Sequence, residues 1–188
     1  MKKKIGVLTL QGDYRSHFEW LSKNNYDPIP LVNEIPNSIE AIIFPGGEST
    51  AILRLLEKRI YLKNNLIKNI KKGMPVLATC AGVILLSNNV IGKNLKTFKL
   101  LDAVIERNAY GPQLSSGIKN IFLLKENKFI KSPFIRAPKI KKIGDAVEIL
   151  GVVKEEPVFI KHSNILATTF HPEISNSTEI LNHLIAML

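Results

Sequence analysis

Through the first half of the chain, short apolar runs alternate with stretches of helical periodicity. Residues 5–10 form a near-continuous apolar run, which reads as a strand buried on both faces. Asp13 is placed to cap a helix over 14–23, which Asn24-Asn25 ends. Residues 29–32 and 41–44 are the next strands, and Pro45-Gly46-Gly47 stops the second of them. Ser49 is placed to cap a helix from Thr50 to about Lys58. A further helix over 62–72 ends at Gly73, the residue expected just past a helix end. A strand over 76–79 and a helix over 81–87 follow. Strands and helices in this alternation predict an α/β fold: a doubly wound, mostly parallel sheet with helices on both faces.

The second half has a different rhythm. Residues 98–106, 118–124, 146–153, 158–161 and 165–169 are strand candidates separated by short turns. They predict an antiparallel addition. Asn176 or Ser177 caps a last helix running to Leu188. No repeat, low-complexity stretch or linker interrupts the pattern, so the expectation is a single domain over 1–188.

Composition changes this picture little. The 188 residues are 45% hydrophobic, ample for a packed core. No apolar run approaches the roughly 20 residues that span a bilayer. The basic start at Lys2-Lys3-Lys4 is followed by too short an apolar run for a signal peptide, which points to a cytoplasmic protein with no membrane role. The net charge of +10 raises the question of nucleic acid. However, the lysines are scattered, no aromatic residues interleave with them, and no helix-turn-helix or zinc-ligand spacing appears. A solvated basic surface is the simpler account.

The candidate chemistry centres on the one cysteine, Cys80, which by residue type alone is either a small buried apolar side chain or a chemical one. It falls between the strand over 76–79 and the following helix, the position of a nucleophile held above a sheet on a sharp turn. Ala78, Ala81 and Gly82 supply the small neighbours such a turn needs. The helix N-terminus favours thiolate over thiol. The N–H of Ala81 is placed to donate to an oxyanion beside the sulfur.

A cysteine nucleophile needs an acid/base partner. Among four histidines, His17 and His183 lie within helices and read as surface or packing residues, and His162 precedes the hairpin turn Ser163-Asn164. His171 follows the last strand, at a carboxyl end, and Pro172 then turns the chain. Glu173, two residues on, would share a side with His171 in an extended segment and orient its ring; read alone, His171-Pro172-Glu173 is equally an exposed turn. Pro45-Gly46-Gly47-Glu48-Ser49 is either a plain tight turn into a helix or a ligand loop whose Gly47 N–H completes an oxyanion hole with Ala81. It lacks the endings of the phosphate-binding loops.

A glycine loop, a cysteine elbow and His-Pro-Glu, in that order, resemble the class I glutamine amidotransferases. Five stretches resemble the glutaminase subunits of pyridoxal 5'-phosphate synthase within that group. They are Gly6-Val7-Leu8-Thr9-Leu10-Gln11-Gly12-Asp13, Pro45-Gly46-Gly47-Glu48-Ser49-Thr50, Thr79-Cys80-Ala81-Gly82, Glu106-Arg107-Asn108-Ala109-Tyr110-Gly111 and Phe134-Ile135-Arg136-Ala137-Pro138. The resemblance implies the flavodoxin-like fold of those enzymes. It implies Cys80 as nucleophile, His171 as acid/base and Glu173 as its orienting partner. It further implies Gly47, Glu48, Ser49, Arg107, Ile135 and Arg136 around glutamine, with one arginine gripping the α-carboxylate. Gln11 would lie near the surface that meets a barrel-shaped synthase subunit, the ammonia acceptor. The partner would carry the pyridoxal phosphate chemistry, so no metal or cofactor is expected on this chain.

The sequence departs from the family pattern at two places. Gly111-Pro112-Gln113 stands where the family has Gly-Arg-Gln, which removes a charge and a backbone donor. Ala78 stands where glycine is common, two residues before the cysteine. Other readings are a glutaminase subunit serving another pathway such as histidine synthesis, a non-catalytic binding subunit on the same fold, and a related cysteine hydrolase.

Overall fold

The computed structural model describes residues 2–107 and 117–188. Four strands follow the predicted apolar runs: β1 (Lys4–Leu8), β2 (Asp27–Leu31), β3 (Ala41–Phe44) and β4 (Val76–Thr79). Between them lie α1 (Tyr14–Lys23), α2 (Ser49–Glu57) and α3 (Ile60–Lys71). After β4 come α4 (Ala81–Leu86), β5 (Ser87–Ile91), β6 (Leu101–Glu106), β7 (Gly117–Leu123), β8 (Lys128–Phe134), β9 (Lys139–Ile143), β10 (Val147–Val153), β11 (Glu156–His162), β12 (Ile165–Thr168) and α5 (Thr178–Ile185).

Nine strands form one sheet in the order β2-β1-β3-β4-β12-β11-β10-β7-β8. From β2 to β12 every neighbouring pair is parallel. From β12 outward every pair is antiparallel. The antiparallel addition therefore extends the parallel sheet edge to edge. Pro28 and Pro30 are tolerated in β2 because it is an edge, where alternate N–H groups have no strand to pair with.

The period-2 alternation of the central strands divides the core. Ile42 and Phe44 of β3, with Val76 and Ala78 of β4, face a layer made by α2, α3 and α4. Ala41, Ile43 and Leu77 face the opposite layer, where α1 and α5 contribute Trp20, Leu21, Ile180, Leu181 and Leu184. Both faces are covered, which is why these strands read as continuous apolar runs.

The structure also corrects several expectations. Three strands were not foreseen. β8 carries Lys128, Lys131 and Pro133 and is tolerated as a sheet edge; β5 and β9 are the polar margins of a separate three-stranded sheet, β5-β6-β9. Residues 98–100 are not strand: Phe98 and Leu100 donate their N–H groups to the carbonyls of Leu85 and Leu86 at the end of α4. α2 is capped by the Glu48 side chain, which accepts from the N–H of Ala51 at 2.8 Å, rather than by Ser49. Asp13 does cap α1, accepting from the N–H of Ser16.

Candidate active site

Three adjacent parallel strands end at one level. Phe44 of β3 is in register with Ala78 of β4, and Thr79 of β4 with Thr168 of β12. The next residues along each strand are the glycine loop, Cys80 and, after a short turn, His171. Ligand sites of open parallel sheets occur at these carboxyl ends. Here they frame a cavity of about 650 Å³ lined by the sequence-predicted residues Gly47, Glu48, Ser49, Cys80, Ala81, Arg107, Ile135, Arg136 and His171. Gln11, at the end of β1, lines it too.

Cys80 has φ +47° and ψ −104°, a conformation that costs a non-glycine residue energy. The elbow is held from both sides. The N–H of Cys80 donates to the carbonyl of Thr168 at 2.9 Å, and its own carbonyl accepts from Val83 at 3.2 Å. Gly82 is required here, since a Cβ would lie 2.3 Å from the carbonyl oxygen of Phe44. Ala78, the departure from the family pattern, is fully buried within β4 and its methyl is accommodated there. Cys80 is 6% exposed, and its sulfur lies 3.7 Å from the carbonyl oxygen of Ile135.

His171 is fixed by its backbone as well as by its ring. Its N–H donates to the carbonyl of Pro133 at 3.0 Å, and its carbonyl accepts from the Ser132 hydroxyl at 3.0 Å. The end of β8 thus reaches His171 and the cavity although it is the far edge of the sheet. Pro172 turns the chain as expected, but 172–176 form turns rather than an extended segment. Glu173 reaches His171 through this turn: Nδ1 lies 2.7 Å from Oε1. The i, i+2 pairing is as expected, and the extended geometry assumed for it is replaced by the turn.

Burial works against a charge on His171. The hydrogen bond with Cys80 and the hydrogen bond and charge of Glu173 outweigh it, raising its pKa from 6.5 to about 10. For Glu173, burial would raise the pKa; His17 and His171 reverse this and hold it below the usual carboxylate range. Glu173 sits behind the ring, outside the cavity, with 3% exposure.

The glycine loop is tied to its surroundings. The N–H of Glu48 donates to Gln11 Oε1 at 2.8 Å. Arg107 donates to Glu48 Oε1 at 2.8 Å and to the Thr50 hydroxyl at 3.0 Å. Arg136 lies at the cavity with φ +48°.

The remaining histidines divide. His162 Nδ1 lies 3.2 Å from the carbonyl oxygen of Leu100, and His183 pairs with Glu126 at 2.8 Å; neither reaches the cavity. His17 is completely buried beside Glu173, at 3.5 Å. Its place in a helix gave no sign of this; the cue was that α1 begins immediately after the loop ending β1. Asn108, Ala109, Tyr110, Gly111 and Pro112 lie outside the described residues.

The model of the SNO glutamine amidotransferase family matches residues 7–188. The chain belongs to the SNO glutamine amidotransferase family. Its relatives include the pyridoxal 5'-phosphate synthase subunit PdxT of Thermotoga petrophila, 40% identical over 190 residues, covering 98% of this chain and 99% of that one. The corresponding subunit of Caldicellulosiruptor saccharolyticus is 42% identical over 175 residues, covering 93% and 92%. A crystal structure of a glutamine amidotransferase superposes with a TM-score of 0.91 at 30% identity, covering 97% of both chains. The PurLQS structure from Thermotoga maritima, at 15% identity and a TM-score of 0.73, shares the fold. The expected α/β glutamine amidotransferase fold is thus observed, and this member of the family is a glutamine amidotransferase. Among the described residues, no helix is long and apolar enough to cross a membrane.

Proposed function

We propose that this chain is the glutaminase subunit of a pyridoxal 5'-phosphate synthase, and that Cys80, His171 and Glu173 form its catalytic triad. The observation that carries the reading is the Glu173–His171 contact of 2.7 Å placed behind the cavity into which Cys80 is turned by its strained elbow. The relatives named PdxT support the assignment to pyridoxal phosphate synthesis.

In this reading glutamine enters the cavity with its side-chain amide over Cys80. The sulfur attacks the amide carbon, and the carbonyl oxygen becomes an oxyanion. The N–H groups of Gly47 and Ala81 stabilise that charge. His171, protonated at neutral pH, gives its proton to the amide nitrogen. The C–N bond breaks, ammonia leaves and a γ-glutamyl thioester remains. His171 then takes a proton from water, which attacks the thioester. The C–S bond breaks, releasing glutamate and restoring Cys80. Glu173 holds the ring with Nδ1 on itself and Nε2 toward the sulfur throughout. Glu48, Ser49, Arg107, Ile135 and Arg136 line the glutamine pocket. The ammonia passes to a barrel-shaped synthase subunit with which this chain forms a heteromeric complex in the cytoplasm.

The reading is tested by measuring pyridoxal phosphate formation by the complex with glutamine and with an ammonium salt. Cys80→Ala is expected to abolish formation from glutamine and spare formation from ammonium. Formation from glutamine that survives the substitution overturns the reading.

A further inference from the structure

His17 is the buried titratable group that the mechanism above leaves unused. It projects from α1 and is 0% exposed. Its Nε2 lies 3.2 Å from the hydroxyl of Thr79, the residue before the nucleophile, and 3.5 Å from Oε1 of Glu173. That carboxylate oxygen is the one that contacts Nδ1 of His171 at 2.7 Å. The ring is braced by Trp20, edge to face at a centroid distance of 6.0 Å. A single nitrogen therefore faces both the base of the elbow and the carboxylate that orients His171.

The tautomer follows from electrostatics. A lone pair on Nε2 would point at an anionic oxygen and repel it. A proton on Nε2 faces two oxygens and is attracted by both. Nδ1 then remains a bare acceptor with no hydrogen-bond partner, the milder kind of unpaired group. Burial lowers the pKa of His17, and the neighbouring His171 adds to this, against the opposing pull of Glu173 and Asp13. His17 is thus a neutral donor, which leaves the charge of Glu173 to His171.

We propose that His17 is a positioning residue of the reaction: its Nε2–H steers Glu173 Oε1 onto His171 and ties that carboxylate to Thr79 at the foot of the Cys80 elbow. This inference rests on the triad reading above. Without the donor, Glu173 has one fewer group fixing its rotamer, and the imidazole loses its alignment on the sulfur. His17 is absent from the cavity lining.

The test uses the complex with the synthase subunit present in excess. His17→Leu keeps an apolar filling of similar bulk and removes the donor; His17→Gln restores an N–H at the end of the side chain. Glutamate release is measured, together with the proton resonance of the His171 Nδ1–H. His17→Leu is expected to lower kcat by about 10-fold or more, as losses of orienting partners do, with KM nearly unchanged. It should also weaken the His171 Nδ1–H resonance, and His17→Gln should recover part of both. A His17→Leu protein with wild-type kcat and an unchanged resonance overturns the proposal. Nitrogen spectra of the wild type decide the matter even if the variants do not fold: a neutral Nε2–H His17 is required, and a charged or Nδ1–H ring contradicts it. Cys80→Ala serves as the reference. If it remains active, the triad reading has failed; if it is inactive while His17→Leu is normal, this inference alone has failed.

Discussion

Gly46 packs against both His171 and Cys80: a Cβ on it would lie 2.5 Å from His171 Cε1 and 3.3 Å from Cys80 Cβ. The glycine loop therefore fixes the clearance around His171 and Cys80 as well as lining the cavity. Gly46→Ala forces the ring to move, and displacements of that order cost about 100-fold in rate. The expected outcome is a fall in kcat of that size, with a folded protein by thermal unfolding. Wild-type kcat would show that the ring has room this geometry denies it.

Glu173→Gln removes the charge behind His171 while keeping the shape. Burial would then lower the His171 pKa with less to oppose it, so the ring should lose its proton at a lower pH than in the wild type, whose value is about 10. Loss of ring orientation and charge together should lower kcat by about 100-fold or more. Titration of the His171 resonance and steady-state glutaminase rates check the two parts.

The same raised pKa carries a stability prediction. The folded-state value for His171 is about 10, above the ordinary 6.5, so the protonated ring stabilises the fold fully below 6.5 and the contribution is lost as pH rises through about 10. Chemical unfolding across that window should show a decline in the wild type that is shallower in His171→Gln. Parallel pH curves would contradict the linkage.

Arg107 holds the exposed carboxylate of Glu48 and the Thr50 hydroxyl. An ion pair with one exposed partner contributes about 1 kcal/mol or less. Arg107→Ala should thus change stability little. It should raise KM for glutamine, because the loop that lines the cavity is no longer clamped. Unfolding curves and kinetics separate the two effects.

How much of this was legible in the sequence differs from element to element. β1, β3 and β4 were visible because strands covered on both faces read as apolar runs. β8 was not, since a polar edge strand containing Pro133 carries no alternation that distinguishes it from a loop. At the site, Cys80 was legible from its place between strand and helix, and Glu173 from its spacing to His171, although a turn rather than an extended segment joins them. Ile135 and Arg136 were marked by family resemblance alone. They follow β8, and nothing local indicates that the far edge of the sheet returns to Cys80. His17 escaped because its role depends on a contact between residues 17 and 173, which no local pattern encodes.

The proposed chemistry runs through Cys80. The most direct measurement is mass analysis of the Cys80 peptide from the complex, acid-quenched during turnover of glutamine, alongside glutamate release by Cys80→Ala. A γ-glutamyl adduct on Cys80 and no release from Cys80→Ala are the predicted results. Continued glutamate release by Cys80→Ala, or an adduct carried by another residue, would contradict it.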